Sequence, residues 1–215
     1  MGAIARNIAN NITTSGVFTS SAIANSSVTG ITVLANASDG ITLISSQTAN
    51  NSASLSFTSG LTSTYKAYKF VFVNIHPATD AAEFEFNMST DGGSNYNVTK
   101  TTTYFQAYSD ENSATADIEY RPNNDLSQST SFQTIFLDLG NGADESYSGT
   151  LTLFNPSSTT YVKHFINNSN AYNSSNYSQT SFVAGYGNTT SAVNAIQFKM
   201  SSGNMDGTIY LYGIK

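Results

Sequence analysis

Three features predict an all-β protein, an antiparallel β-sandwich of jelly-roll type carried behind an extended N-terminal arm. From Ile41 onward apolar and polar residues alternate with period two, as half-buried strands require. Gly, Asn and Asp clusters interrupt that alternation at short intervals, and no long stretch with helical spacing competes with it. The division that follows is an anchoring and assembly arm over 1–40 and a sandwich domain over 41–215.

The first forty residues hold one aromatic, Phe18, among many Ala, Asn, Ser, Thr and Gly, so they cannot build a core alone. Within "MGAIARNIANNITTSGVF", Ile4, Ile8 and Ile12 would share one face of a helix, since i and i+4 stack over each other. Several Asn and Thr make such a helix marginal in water. Further on, "VTGITVLANASDGITLIS" turns to β-branched residues with turn punctuation. The expectation is an arm that orders against a partner or a neighbouring copy, burying Ile4, Ile8, Ile12 and Val17.

The strands follow in order. "SASLSFTS" alternates Leu55 and Phe57 with hydroxyl residues, and "YKFVFVNI" sets Phe70, Phe72 and Asn74 against Val71, Val73 and Ile75. "EFEFNMS" alternates Phe84, Phe86 and Met88 with Glu83, Glu85 and Asn87, whose glutamates should face water. Asp91-Gly92-Gly93 supplies the positive-φ residues of a tight hairpin leading to "YNVTKTTTYFQAY". A long loop is expected over 109–131. Strands resume at "FQTIFLDL", "SYSGTLTLF", "YVKHFIN", "SFVAGY", "NAIQFKM" and "GTIYLYGI", about eleven in all. Three prolines leave the ladders unbroken.

Composition narrows the function classes. At 215 residues the chain can bury roughly 70% of its unfolded surface, and with Cys 0 it has neither disulfides nor thiolate metal sites. Lys+Arg 8 against Asp+Glu 14 gives a net charge of −6, with the cations scattered, which excludes a nucleic-acid partner. Only 10% of residues are charged against ~25% in ordinary domains, so Asn, Ser and Thr must wet the surface. Neither a leader-type apolar run nor a stretch of ~20 apolar residues is found, so membrane insertion is not expected.

No residue set announces a reaction. His76 and His164 lie far apart, one read as a turn residue and the other as a hydrogen-bonded strand residue opposite Lys163 and Phe165. Glu83 and Glu85 share a strand face and are the candidate carboxylate pair for a glycosidase, but nothing marks either as desolvated. Asp110, Glu111, Asp117 and Glu119 gather acidity without the spacing of a calcium loop. Sequons such as Asn11, Asn97 and Asn188 arise by chance in so amide-rich a chain. Tyr172 and Tyr177 in "NNSNAYNSSNYSQTS" combine rings with amides, as a glycan contact or a protein contact would use them.

At "STYKAYKFVFVNIHPATD", "LTLFNPSSTTYVKHF" and "NTTSAVNAIQFKMSSGNMDGTIYLYGIK" the chain resembles poorly characterised structural proteins of marine tailed bacteriophages. The ending "GTIYLYGIK" resembles the last strand of β-sandwich domains that phages attach to fibres and capsids. The resemblance covers roughly 41–215 well and the arm loosely, and it assigns no chemistry to any residue. It implies a virion component, without saying whether on head or tail; with no residue set announcing a reaction, the expectation is a non-enzymatic knob, decoration or short fibre at the virion surface, without a cofactor or metal. Its expected partners are other virion proteins through the arm, further copies of itself in a homo-oligomer such as a trimer, and a host surface glycan.

Overall fold

The structure, a computed structural model, describes residues 40–112 and 114–215. The anchoring candidates Ile4, Ile8, Ile12 and Val17 lie outside the described residues. Twelve strands are formed: β1 (Ile41–Ser52), β2 (Ser54–Phe57), β3 (Ala67–Pro77), β4 (Ala82–Ser89), β5 (Lys100–Asp110), β6 (Ala116–Tyr120), β7 (Gln133–Leu139), β8 (Tyr147–Phe154), β9 (Lys163–Tyr172), β10 (Tyr177–Gly187), β11 (Ala195–Met200) and β12 (Met205–Ile214). All pairings are antiparallel, in an eight-stranded sheet ordered β1-β12-β3-β8-β9-β10-β5-β6 and a four-stranded sheet ordered β2-β11-β4-β7.

These two orders contain a jelly roll with two insertions. With the insertions set aside, the chain steps between the sheets from β1 to β2, β3 and β4 and then from β7 to β8, β11 and β12, so that β1-β12-β3-β8 faces β2-β11-β4-β7. The pairs β5/β6 and β9/β10 are inserted after β4 and after β8. Both join the same edge, beyond β8, and double the width of one sheet.

Phenylalanines from the two facing layers interlock because the alternation of β3, β4 and β11 sends every second ring inward. Phe198 on β11 lies 5.2 Å from Phe70 and 5.1 Å from Phe72 on β3, while Phe84 on β4 lies 5.2 Å from Tyr147 on β8. Such tilted and edge-to-face pairs contribute about 0.5–1.5 kcal/mol each beyond their buried area.

Three local expectations are corrected. Asp91-Gly92-Gly93 does turn the chain, with φ of +73° and +91° at the glycines, but β4 and β5 belong to different sheets and form no hairpin. The turn is a sheet crossing, in which the Asp91 carboxylate accepts from the Ser89 hydroxyl at 2.6 Å and the Asn95 amide at 2.9 Å. In β3, Asn74 adopts φ +51° and forms a bulge, so Ile75 joins Phe70 and Phe72 in the core instead of facing out with Val71 and Val73. The expected loop over 109–131 contains β6, and its remainder is ordered against β5: Thr102 donates to Leu126 O at 2.9 Å and Arg121 to Tyr104 O at 2.9 Å.

Beneath the added strands the interior holds polar side chains beside the apolar Tyr104, Phe165 and Val183. Asn167 and Ser169 of β9, Gln179 and Ser181 of β10, and Lys100 and Thr102 of β5 are buried on the inward face. The Thr102 hydroxyl donates to Gln133 Oε1 at 2.5 Å, and Asn173 Nδ2 donates to Gln179 Oε1 at 2.7 Å. Tyr147 OH donates to Asn167 Oδ1 at 3.2 Å. Among the described residues no buried side-chain nitrogen or oxygen lacks a partner, which removes the cost of burying them in this region.

Candidate functional site

Tyr172 and Tyr177 are not loop residues but the closing positions of a hairpin, the last of β9 and the first of β10. Asn176 turns the chain between them at φ +62°, and Asn173 donates to Tyr177 O at 3.0 Å. Strand alternation sends the two rings to opposite faces of the hairpin, so they do not form one stacking platform. Tyr172 donates its hydroxyl to Asn176 Oδ1 at 2.8 Å, and Tyr177 rests on Tyr108 with ring centroids 5.4 Å apart.

The end of β5 brings Asp110 and Glu111 beside this hairpin. They share with Tyr172 the walls of two shallow depressions of about 200 and about 360 Å³, one completed by Asn170 and Ser178, the other by Asn176 and Tyr177. Partial burial, with the negative charges of Glu111, Asp144 and Glu145, holds the Tyr172 phenol above its ordinary pKa. The cluster offers amides, carboxylates and a ring edge to a small polar ligand.

The remaining candidates are engaged in structural bonds. Glu83 accepts from the Thr134 hydroxyl at 2.6 Å and Glu85 pairs with Lys199 at 3.1 Å. Asn87, read as facing out with them, is fully buried, because its Nδ2 donates to Tyr96 O at 2.7 Å and Thr130 O at 2.9 Å. His76 belongs to β3 rather than to a following turn, with Nε2 3.0 Å from Gly142 O. His164 does lie opposite buried Lys163 and Phe165; its ring sits 6.1 Å from that of Tyr186. Glu119 pairs with Arg121 at 3.2 Å, and the Asp110 carboxylate accepts from the Ala114 amide at 2.8 Å.

A surface that the sequence reading did not single out is the outward face of the added strands. Here apolar residues occupy both sides of the sheet: Tyr104, Phe165 and Val183 point inward among Asn167, Ser181 and Thr102, while Ile166, Phe182 and Phe105 point outward. Phe182 and Phe105 are cross-strand partners stacked at 4.9 Å with planes 12° apart, and Tyr120 continues the same row on β6. Ile118 is 76% exposed and Ile166 52% exposed. A groove of about 490 Å³ crosses the face where Ala184 and Gly185 leave room between Phe154, Ile166 and Tyr186. The signal was present in "TYFQAY", "HFIN" and "SFVAG", where adjacent apolar residues in one strand require that both of its faces be apolar.

Compared with known families, curated proteins and solved structures, the chain matches none.

Proposed function

We propose that this chain is a structural component of a tailed-phage virion, a projecting knob, decoration or short fibre protein that its N-terminal arm anchors and that acts as a homo-oligomer. The supporting observation is that the described residues form a continuous sandwich core of their own, from Ala49 to Leu211. In this reading Ile4, Ile8, Ile12 and Val17 bury themselves in a capsid or tail protein, which offsets the chain entropy lost on docking. The jelly roll and the resemblance of its strand sequences support the same reading. Several copies on one particle would multiply a weak contact with the host surface.

The experiment is deletion of residues 2–40 followed by measurement of incorporation into particles. Loss of the chain from purified virions is expected, and undiminished incorporation would refute the anchoring role.

A second reading rests on the depressions beside Tyr172. Asp110, Glu111 and Asn170 supply hydrogen-bonding groups next to an aromatic ring, a combination suited to a host carbohydrate. A glycan array comparing wild type with the Tyr172→Ala, Tyr177→Ala double variant tests it: binding by wild type alone supports carbohydrate recognition, and no binding by either removes it.

A further inference from the structure

We infer that the outward face of β8, β9, β10, β5 and β6 is the surface through which a second copy of this chain docks, sheet against sheet. The first ground is that the added strands carry apolar residues on both faces. A one-sided sheet ordinarily buries its apolar residues and wets its polar ones. In this half the buried side mixes Tyr104, Phe165 and Val183 with hydrogen-bonded Asn167, Gln179 and Ser181, while Phe105, Phe182, Ile166, Ile118, Tyr120 and Phe154 face outward. These six fall on neighbouring strands and form one area rather than scattered exposures. A contiguous apolar area of this kind marks a contact surface.

Charge selects the occupant. The chain carries 14 carboxylates and a net charge of −6, so two copies repel wherever their acidic surfaces meet. On the five strands, however, no outward position holds Asp or Glu. Asp117 and Glu119 of β6 alternate to the opposite side, where Glu119 is directly across from the inward Gln106. Asp125 at the margin is already bound by the Tyr104 amide and the Tyr120 hydroxyl. The outward positions are Thr, Ser, Asn, Ala, aliphatic and aromatic residues with one histidine, His164. This is a face on which an acidic protein can meet itself without opposing like charges.

A nucleic acid would require the cations that the face lacks. A sugar would require many hydrogen-bonding groups converging on the groove, whose open surface is mainly that of Phe154, Ile166 and Tyr186, with Thr101, Thr103 and His164 also lining it. This surface rests on the homo-oligomer part of the proposed function and not on its anchoring part: an arm deletion that leaves incorporation intact would defeat the anchoring role and leave this face unaffected.

The test is light scattering coupled to size-exclusion chromatography on the full chain, over a dilution series up to ~100 µM. Wild type is expected at twice the chain mass or more, and a Phe105→Glu, Ile166→Glu variant at the chain mass with an unchanged circular-dichroism spectrum. If that variant unfolds, Thr103→Glu on the same face replaces it, with Gln197→Glu on the four-stranded sheet as the control that should keep the wild-type mass. A wild type that stays at the chain mass throughout the series overturns the inference. So does a folded face variant that keeps the oligomer, which would place the contact elsewhere.

Discussion

Raising the pH from about 7 to about 9.5 should stabilise this protein, and Lys100 is the principal cause. Its side chain is fully buried at the start of β5, where Nζ donates to Asn87 Oδ1 at 2.5 Å and to Val98 O at 2.8 Å. Both acceptors are neutral. Burial therefore lowers the pKa from 10.5 to about 7. Between those values the unfolded chain binds more protons than the folded one, so stability rises with pH across that window and levels off below about 7. The linkage relation places the gain from pH 7 to 9.5 at no more than about 3 kcal/mol. At ~2–4 °C per kcal/mol for a domain of this size, Tm should rise by up to ~6–12 °C. Lys163, fully buried and donating to Tyr161 O at 2.6 Å, adds a contribution of the same sign, since burial lowers its pKa too. Tyr104 and Tyr147 act oppositely at higher pH, because burial raises their phenol pKa values, and this sets the upper limit of the scan. The assay is thermal unfolding followed by circular dichroism for wild type and Lys100→Met, which keeps the length of the side chain and removes the titrating group. A clearly shallower rise of Tm with pH is expected in the variant. An identical slope in the two proteins would refute the assignment to Lys100.

Other consequences are open to direct measurement. Phe198→Ala empties the site where rings from Phe57, Phe70, Phe72, Phe84 and Phe86 converge, and chemical denaturation should report a loss of about 3–5 kcal/mol. Gly149→Ala would bring a Cβ within 2.4 Å of Ser169 Cβ and 2.8 Å of Asn168 O on the neighbouring strand; forced separation of β8 and β9 should cost about 1–3 kcal/mol or more, and unaltered stability would show that the strands yield freely. Asn167→Leu leaves Ile135 O without the side-chain amide and Tyr147 OH without its Asn167 acceptor, a loss of about 1–3 kcal/mol by urea titration. The Asp91 carboxyl should titrate near 2 by NMR rather than near 3.8, chiefly because the Ser89 hydroxyl and Asn95 hydrogen-bond its charged form. The crossing it organises is then maintained until the pH falls through that value, and titration near the ordinary value would remove Asp91 from this role.

Much of the core could be read directly from the chain. Phe70 and Phe72, Phe84 and Phe86, and Leu55 and Phe57 are buried as their alternation requires, since a strand has only two faces and period two assigns residues to them. Tyr172 and Tyr177 were legible as a pair near a turn, but their orientation on opposite faces depended on the hairpin register. The exposed face of Phe105, Ile166 and Phe182 was harder to recognise because a phenylalanine in a strand is ordinarily assigned to the interior. Only the burial of Asn167, Ser181 and Thr102 on the other side reveals the exchange. Lys100 was illegible for a related reason: a lysine becomes an interior residue only when acceptors meet its ammonium, and here Asn87, on a strand of the other sheet, supplies one beside the neighbouring Val98 O.

Local pattern alone thus established an all-β chain, most of its strands and the inward rings of the jelly roll, because alternation and turn chemistry act over a few neighbouring residues. Tertiary structure decided which strands are partners, that the Asp91 turn crosses between sheets, that both insertions widen the same edge, and that the added half buries Asn167, Ser181 and Thr102 while exposing Phe105 and Ile166. Those outcomes depend on hydrogen bonds and packing between residues far apart in the chain, whose energies no local window contains.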